Sequence, residues 1–180
     1  MSDYLNSRDD QALEQLIKRS EAAEKLTAQQ QENLDAARRI LAERSAANVA
    51  THFDIPRAIS FLTSVAKEGR LCSYKELAFA CVSDPDAEWS RLHRRLTGPS
   101  GLMISIIRHC DANNLPHFSS LVVRQDEVHL GPSVPPNRDD EAEYGFKRGM
   151  VEEGLEKQGV DTDAMVLRHR QSCFDWAISL

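Results

Sequence analysis

A mainly helical α+β fold is what this chain predicts, on three observations. Residues from about Asp9 to Arg44 contain neither glycine nor proline and are rich in Ala, Glu, Gln, Leu, Lys and Arg, a strongly helical composition. Apolar residues recur at helical spacing from Ile55 to Cys110, interrupted by glycines and capping residues. The stretch SSLVVRQDEVHLG then reads as two short strands around a turn. The order helix, short strand, helix, helix and two strands is that of a winged helix. It places a winged-helix domain at 53–132, between a helical arm at 1–52 and an acidic helical segment at 133–180 that packs on the core.

In the arm, Leu13, Leu16 and Ile17 form one apolar stripe and Leu34, Ala37, Ile40 and Leu41 another, with the polar KLTAQQQEN between them. Two readings are open. One is a single long helix with a weak centre; the other is a second helix capped by Thr27, with Gln30 completing a capping box. A helical hairpin and a dimerisation arm both fit this pattern.

Asp54 is a good N-cap for the next helix, and Pro56 is tolerated in its first turn. Ile55, Ile59, Leu62, Val65 and Ala66 form its apolar face, and Gly69 suits its C-terminal stop. Arg70, Leu71 and Cys72 suit a short strand. Ser73 and Glu76 make an S-x-x-E box opening a helix with Tyr74, Leu77, Ala78, Cys81 and Val82 on one face. Asp86 is expected to cap a helix over 87–97, with Leu92 and Leu96 inward, that Gly98-Pro99-Ser100-Gly101 must end. A further helix turns Met103, Ile106, Ile107 and Cys110 inward and stops at Asn113-Asn114-Leu115-Pro116. Strands are expected at 118–124 and 128–130, with Gln125-Asp126 near the turn.

Beyond the loop GPSVPPNRDD, an acidic helix runs from Asp139 to about Lys157 and breaks at Gly159. Asp161 or Thr162 caps the last segment. There Phe174, Trp176 and Ile178 alternate as in a strand, while Met165, Val166, His169, Cys173 and Ala177 fit a helix; both readings stay open.

An apolar fraction of 41% with 28% charged residues describes a globular chain, not a disordered one. No apolar run approaches the roughly 20 residues that span a bilayer, and the first residues lack the apolar centre of a signal peptide. A cytoplasmic protein that does not engage membranes is the expectation. Cys72, Cys81, Cys110 and Cys173 form no C-x-x-C pair and sit among apolar neighbours, as reduced core thiols do. His109, Cys110 and His117 could be drawn as a metal cluster, but adjacent helical residues point to different faces, and no metal or cofactor is expected.

The chain carries a net charge of −6, which disfavours indiscriminate attraction to phosphates. The distribution is uneven. Residues 55–124 hold 9 basic and 6 acidic side chains, whereas 125–180 hold 6 basic and 12 acidic. The expected winged-helix domain is thus the basic part of an acidic protein. Arg91, Arg94 and Arg95 fall within five positions on its expected third helix, and arginine serves phosphates and guanine edges. Ser73, Tyr74 and Lys75 stand at the start of the preceding helix, where free amides favour a phosphate, and Arg124 stands at the expected wing. A tryptophan at Trp89 could stack on a base or bury its ring. No G-x-S-x-G, H-E-x-x-H, Walker or Rossmann pattern is present, so no catalytic residue is expected.

The segment GRLCSYKELAFACV resembles the G-x-x-x-S/T-Y-x-x-L-A segment of DNA alkyltransferases and alkyltransferase-like proteins, in which a helix precedes the motif and a strand-turn-strand follows. Repair in those proteins requires the cysteine of a Pro-Cys-His-Arg motif. The matching place here reads Pro116-His117-Phe118-Ser119, so the resemblance implies the fold and DNA as partner, and not alkyl transfer. The chain is also similar to small bacterial proteins with Y-x-x-L-A, L-P-x-x-S/T-x-L-V-V and an aromatic-Asp-Trp motif. Tyr74, Leu77, Ala78, Cys110, Leu115, Pro116, Ser119, Leu121, Val122, Val123 and Phe174-Asp175-Trp176 match, whereas GPSVPP departs from the glycine-rich continuation. The expected function is non-enzymatic binding of duplex DNA, as a regulator or a component of a nucleic-acid machine. The alternative is a protein-interaction module (adaptor, inhibitor or immunity protein) using the acidic and helical surfaces, with a protein partner or a homodimer formed through the N-terminal helices.

Overall fold

The glycine-free arm folds as two helices, not one. In the computed structural model, which describes residues 5–23, 25–97, 101–135, 145–157 and 159–180, α1 spans Asp10–Glu21 and α2 spans Ala28–His52. The chain divides into two compact units, Met1–Asn48 and Val49–Leu180. In the first, Thr27 and Gln30 form the capping box: Gln30 N donates to Thr27 Oγ1 at 3.2 Å, and Thr27 N to Gln30 Oε1 at 2.9 Å. This satisfies amides that would otherwise be left over at the helix start. The two apolar stripes meet, burying Leu13, Ala37, Ile40 and Leu41 together with Leu5. Arg44 closes the hairpin by donating to the backbone oxygens of Arg8 and Asn6 and to Asp10 Oδ1.

Among its described residues the second unit is mainly helical, with one pair of two-residue strands. Helix α3 (Ile55–Lys67) is capped by Asp54 Oδ1, which accepts from Arg57 N at 2.9 Å. It ends in a Schellman arrangement. Gly69 takes φ +65°, its amide bonds to Ala66 O, and Arg70 N reaches Val65 O. Strand β1 (Cys72–Ser73) leads into α4 (Tyr74–Cys81). A four-residue helix α5 (Trp89–Leu92) continues as a 3-10 helix over His93–Arg95. Helix α6 (Leu102–Ala112) follows; at Gly101 a Cβ would meet Leu96 O at 2.6 Å, so only glycine lets the chain turn there. Gly98, Pro99 and Ser100 lie outside the described residues.

The expected hairpin over 118–130 does not form. Phe118–Leu121 is a 3-10 helix, Val122–Val123 is strand β2, and Gln125–Leu130 is a second 3-10 helix. Strand β2 pairs with β1 in parallel, Cys72 opposite Val122 and Ser73 opposite Val123. The reason lies in burial and local bonding. Phe118 through Val123 are all buried, whereas a hairpin strand would leave alternate residues in water. At Arg124 the backbone amide donates to Glu127 Oε2 at 3.0 Å and Glu127 N donates to Arg124 O, which bends the chain into a helical turn. One further expectation is corrected. Asp86 does not cap the third helix, which begins later and is shorter than 87–97. Of the two open readings of the C-terminal segment the helical one holds: α8 (Thr162–Ile178) is capped by Asp161, whose Oδ1 accepts from Ala164 N at 2.8 Å.

Of the acidic helix expected to reach about Lys157, α7 (Gly145–Glu152) is helical and 153–157 is not, with Gly154 at φ +72° just past its end; 136–144 lie outside the described residues. Ile104, Ile107, Phe146, Met150, Met165 and Val166 form a core between α6, α7 and α8. A larger core gathers α3, α4, α6, β1, β2 and the end of α8. Among the described residues no helix is long and apolar enough to cross a membrane.

Candidate nucleic-acid interface

The residues expected at the interface fall into two places. The first is the start of α4. Ser73 is only 1% exposed, and its Oγ accepts from Glu76 N at 3.1 Å while Glu76 Oε2 accepts from Ser73 N at 2.7 Å. Ser73 therefore shapes the helix start and does not face a ligand. Tyr74 is half-buried against the core, and a Cβ on Gly145 would lie 3.7 Å from its hydroxyl. Lys75 is exposed. The parallel register carries Arg124 to the same end, one residue beyond the Ser73–Val123 pair. Its guanidinium meets Asp126 at 3.1 Å, with both side chains mostly exposed (55% and 68%). Such a pair is worth at most about 1 kcal/mol, so it blunts Arg124 without locking it.

The second place is the turn after α4. Leu92 and Leu96 are buried and anchor it, which leaves Arg91, His93, Arg94 and Arg95 exposed. Among the described residues neither Arg91 nor Arg94 has a hydrogen-bonded or ion-paired side-chain partner, in contrast to Arg38, Arg44, Arg70, Arg108, Arg124, Arg148 and Arg168. Arg95 lies near His52, whose pKa is lowered by burial first and by this charge second. Phe79, Trp89 and His93 form a row: Phe79 and Trp89 centroids are 6.3 Å apart, and His93 meets Trp89 edge-on at 5.4 Å. Trp89 is half-buried against the core, while Phe79 is 42% exposed. The loop leading into the turn carries exposed Asp84, Asp86 and Glu88, and Asp84 Oδ1 accepts from Asp86 N at 3.0 Å.

Sequence reasoning missed two clusters. Arg170 is 1% exposed, and its guanidinium donates to Ser120 O at 3.1 Å, Val134 O at 2.6 Å and Pro132 O at 3.4 Å. It falls on the stripe Val166, Arg170, Cys173, Ala177, so a charge inside a helical apolar face was the signal. The second cluster joins residues far apart in sequence. His117 and His169 meet edge to face at 5.3 Å, Phe146 meets His169 at 5.3 Å, and His169 Nε2 lies 3.0 Å from Glu156 Oε1, which Arg168 also contacts. Burial lowers the pKa of His117, and the His169 charge lowers it further against the pull of Asp111 and Glu156. Burial also lowers His169, against its hydrogen bond to Glu156. Burial would raise Glu156, but the bonds from His169 and Arg168 hold it below the ordinary value.

The four cysteines are free and buried; burial pushes Cys72, Cys81 and Cys173 up to about 12 and Cys110 to about 11, away from reactive thiolate. Among the described residues no three His, Cys, Asp or Glu side chains are arranged to hold a metal ion. No protein-family model, curated protein or solved structure matches the chain.

Proposed function

We propose that residues 53–132 bind nucleic acid, duplex DNA first, in a winged-helix-like manner without catalysis. The helix order α3, α4, α5 and α6 supports this reading. The observation that carries it is the pair of exposed, unengaged arginines, Arg91 and Arg94, on the turn after α4. Arg95 is exposed on the same turn, and Lys75 and Arg124 are secondary contacts at the other end of α4. A helix of four residues is too short to lie along a groove. Its arginines suit backbone phosphates, which fix position without reading sequence. The test is salt-dependent binding of the full chain to duplex DNA. Replacing Arg91, Arg94 and Arg95 by alanine should lower the magnitude of the log K against log salt slope by about 0.9 per lost contact. Unchanged binding by that variant rejects the site.

A second reading, a protein-interaction module, draws on the net charge of −6. Absence of binding to any nucleic acid at low salt, together with a protein partner recovered by pull-down, would favour this reading over the first.

A further inference from the structure

The turn after α4 carries charges that nearly offset one another. Arg91, Arg94 and Arg95 are preceded within the same surface loop by Asp84, Asp86 and Glu88, all exposed. Opposite charges that stand close together partly cancel at range, so neighbouring carboxylates temper the attraction of an arginine turn for phosphate. Binding here needs a second source of affinity. The same turn supplies one in the row Phe79, Trp89 and His93.

Phe79 is the informative member. It stands on α4 with 42% of its surface in water, while the buried side chains of that helix are Leu77, Ala78 and Cys81. Trp89 backs it from one side and is itself fixed on the core. The bases of an intact duplex are stacked on one another and offer no face to such a ring. An unpaired base does, and base–aromatic stacking tolerates any sequence.

We propose that Phe79, supported by Trp89, stacks on an unpaired base of a single strand where it leaves a duplex, while Arg91 and Arg94 hold the flanking phosphates. This rests on the nucleic-acid reading above and narrows its ligand from duplex DNA to a duplex with a single-stranded extension. The charge balance and the aromatic row favour this partner jointly. The arginines answer phosphate, the ring answers a base face, and neither alone accounts for the surface.

The experiment compares the full chain on a flush duplex and on the same duplex with a single-stranded oligothymidine extension, at one salt concentration. The extended DNA should bind about tenfold tighter, the size of one base–aromatic stack. Phe79→Ala should abolish that preference and leave flush-duplex affinity unchanged, and Phe79→Tyr should retain it. Because Phe79 faces water, both variants should fold; their urea midpoints check this. Equal affinity of the wild-type chain for the two DNAs, or a preference that persists in Phe79→Ala, overturns the inference while leaving the duplex reading intact. Flush-duplex binding that is unaltered in the Arg91/Arg94/Arg95 alanine variant overturns the assigned arginine site itself. No binding to either DNA overturns both.

Discussion

The strand pair and the turn after α4 use polar side chains in opposite ways. Around β1 and β2 the polar groups at the helix start and in the segment after β2 are engaged within the protein, although the buried Ser119 Oγ has no hydrogen-bond partner among the described residues. Ser73 and Glu76 satisfy each other, Glu127 accepts from the Arg124 amide, and Arg170 holds the carbonyls of Ser120, Pro132 and Val134. At the turn, Leu92 and Leu96 do the anchoring and Arg91 and Arg94 are left to water. A buried polar group without a partner is costly, so the strand region cannot spare its donors for a ligand. An exposed turn held by two leucines has no such constraint.

That contrast can be tested from its strongest side to its weakest. Arg170→Met should cost about 3 kcal/mol, since it strips buried carbonyls of a charged donor, and should lower the urea midpoint markedly. DNA affinity at equal folded fraction should not change. Ser73→Ala should cost about 1 kcal/mol through loss of the cap, again with the salt dependence of binding intact. A fall in that salt slope would return Ser73 to the interface.

Acid should weaken the fold through the histidine pair. His117 and His169 both titrate below 6.5 when folded, so the unfolded chain takes up protons first as pH falls. The stability they contribute is present above 6.5 and is lost as pH falls from there through the lowered folded values. Urea midpoints measured across this range should slope less in His117→Phe, which keeps a ring against His169; an unchanged slope would place the origin elsewhere. The smallest effects belong to the turn. Arg91→Ala and Arg94→Ala should each shift stability by less than about 0.5 kcal/mol, as exposed residues without partners do, while weakening DNA binding. A larger loss of stability would show that these arginines serve the fold.

Local signals were legible where local chemistry decides. The Thr27–Gln30 and Ser73–Glu76 boxes, the Asp54 cap and the Gly69 stop all form as their residues imply. The stripe Met103, Ile106, Ile107, Cys110 is buried as its spacing implies. The stretch SSLVVRQDEVHL misled because β-branched residues suit a parallel strand buried on both faces as well as a hairpin. Sequence periodicity does not report which partner strand is present. Asp86 misled because Asp84 engages its amide in a turn before any helix begins.

For the candidate interface, the sequence by itself determined that residues 55–124 carry more basic than acidic side chains within an acidic chain, that Arg91, Arg94 and Arg95 share one short segment, and that Asp54 and Ser73 cap their helices. Those facts depend on neighbours within a few positions. Only the tertiary structure decided which of them face outward. It buried Ser73, drew Arg170 into the core, and set Phe79 beside Trp89 at the surface. The physical reason is that burial and pairing are set by contacts between residues distant in sequence, such as β1 with β2 and α8 with the segment after β2, and no local pattern encodes them.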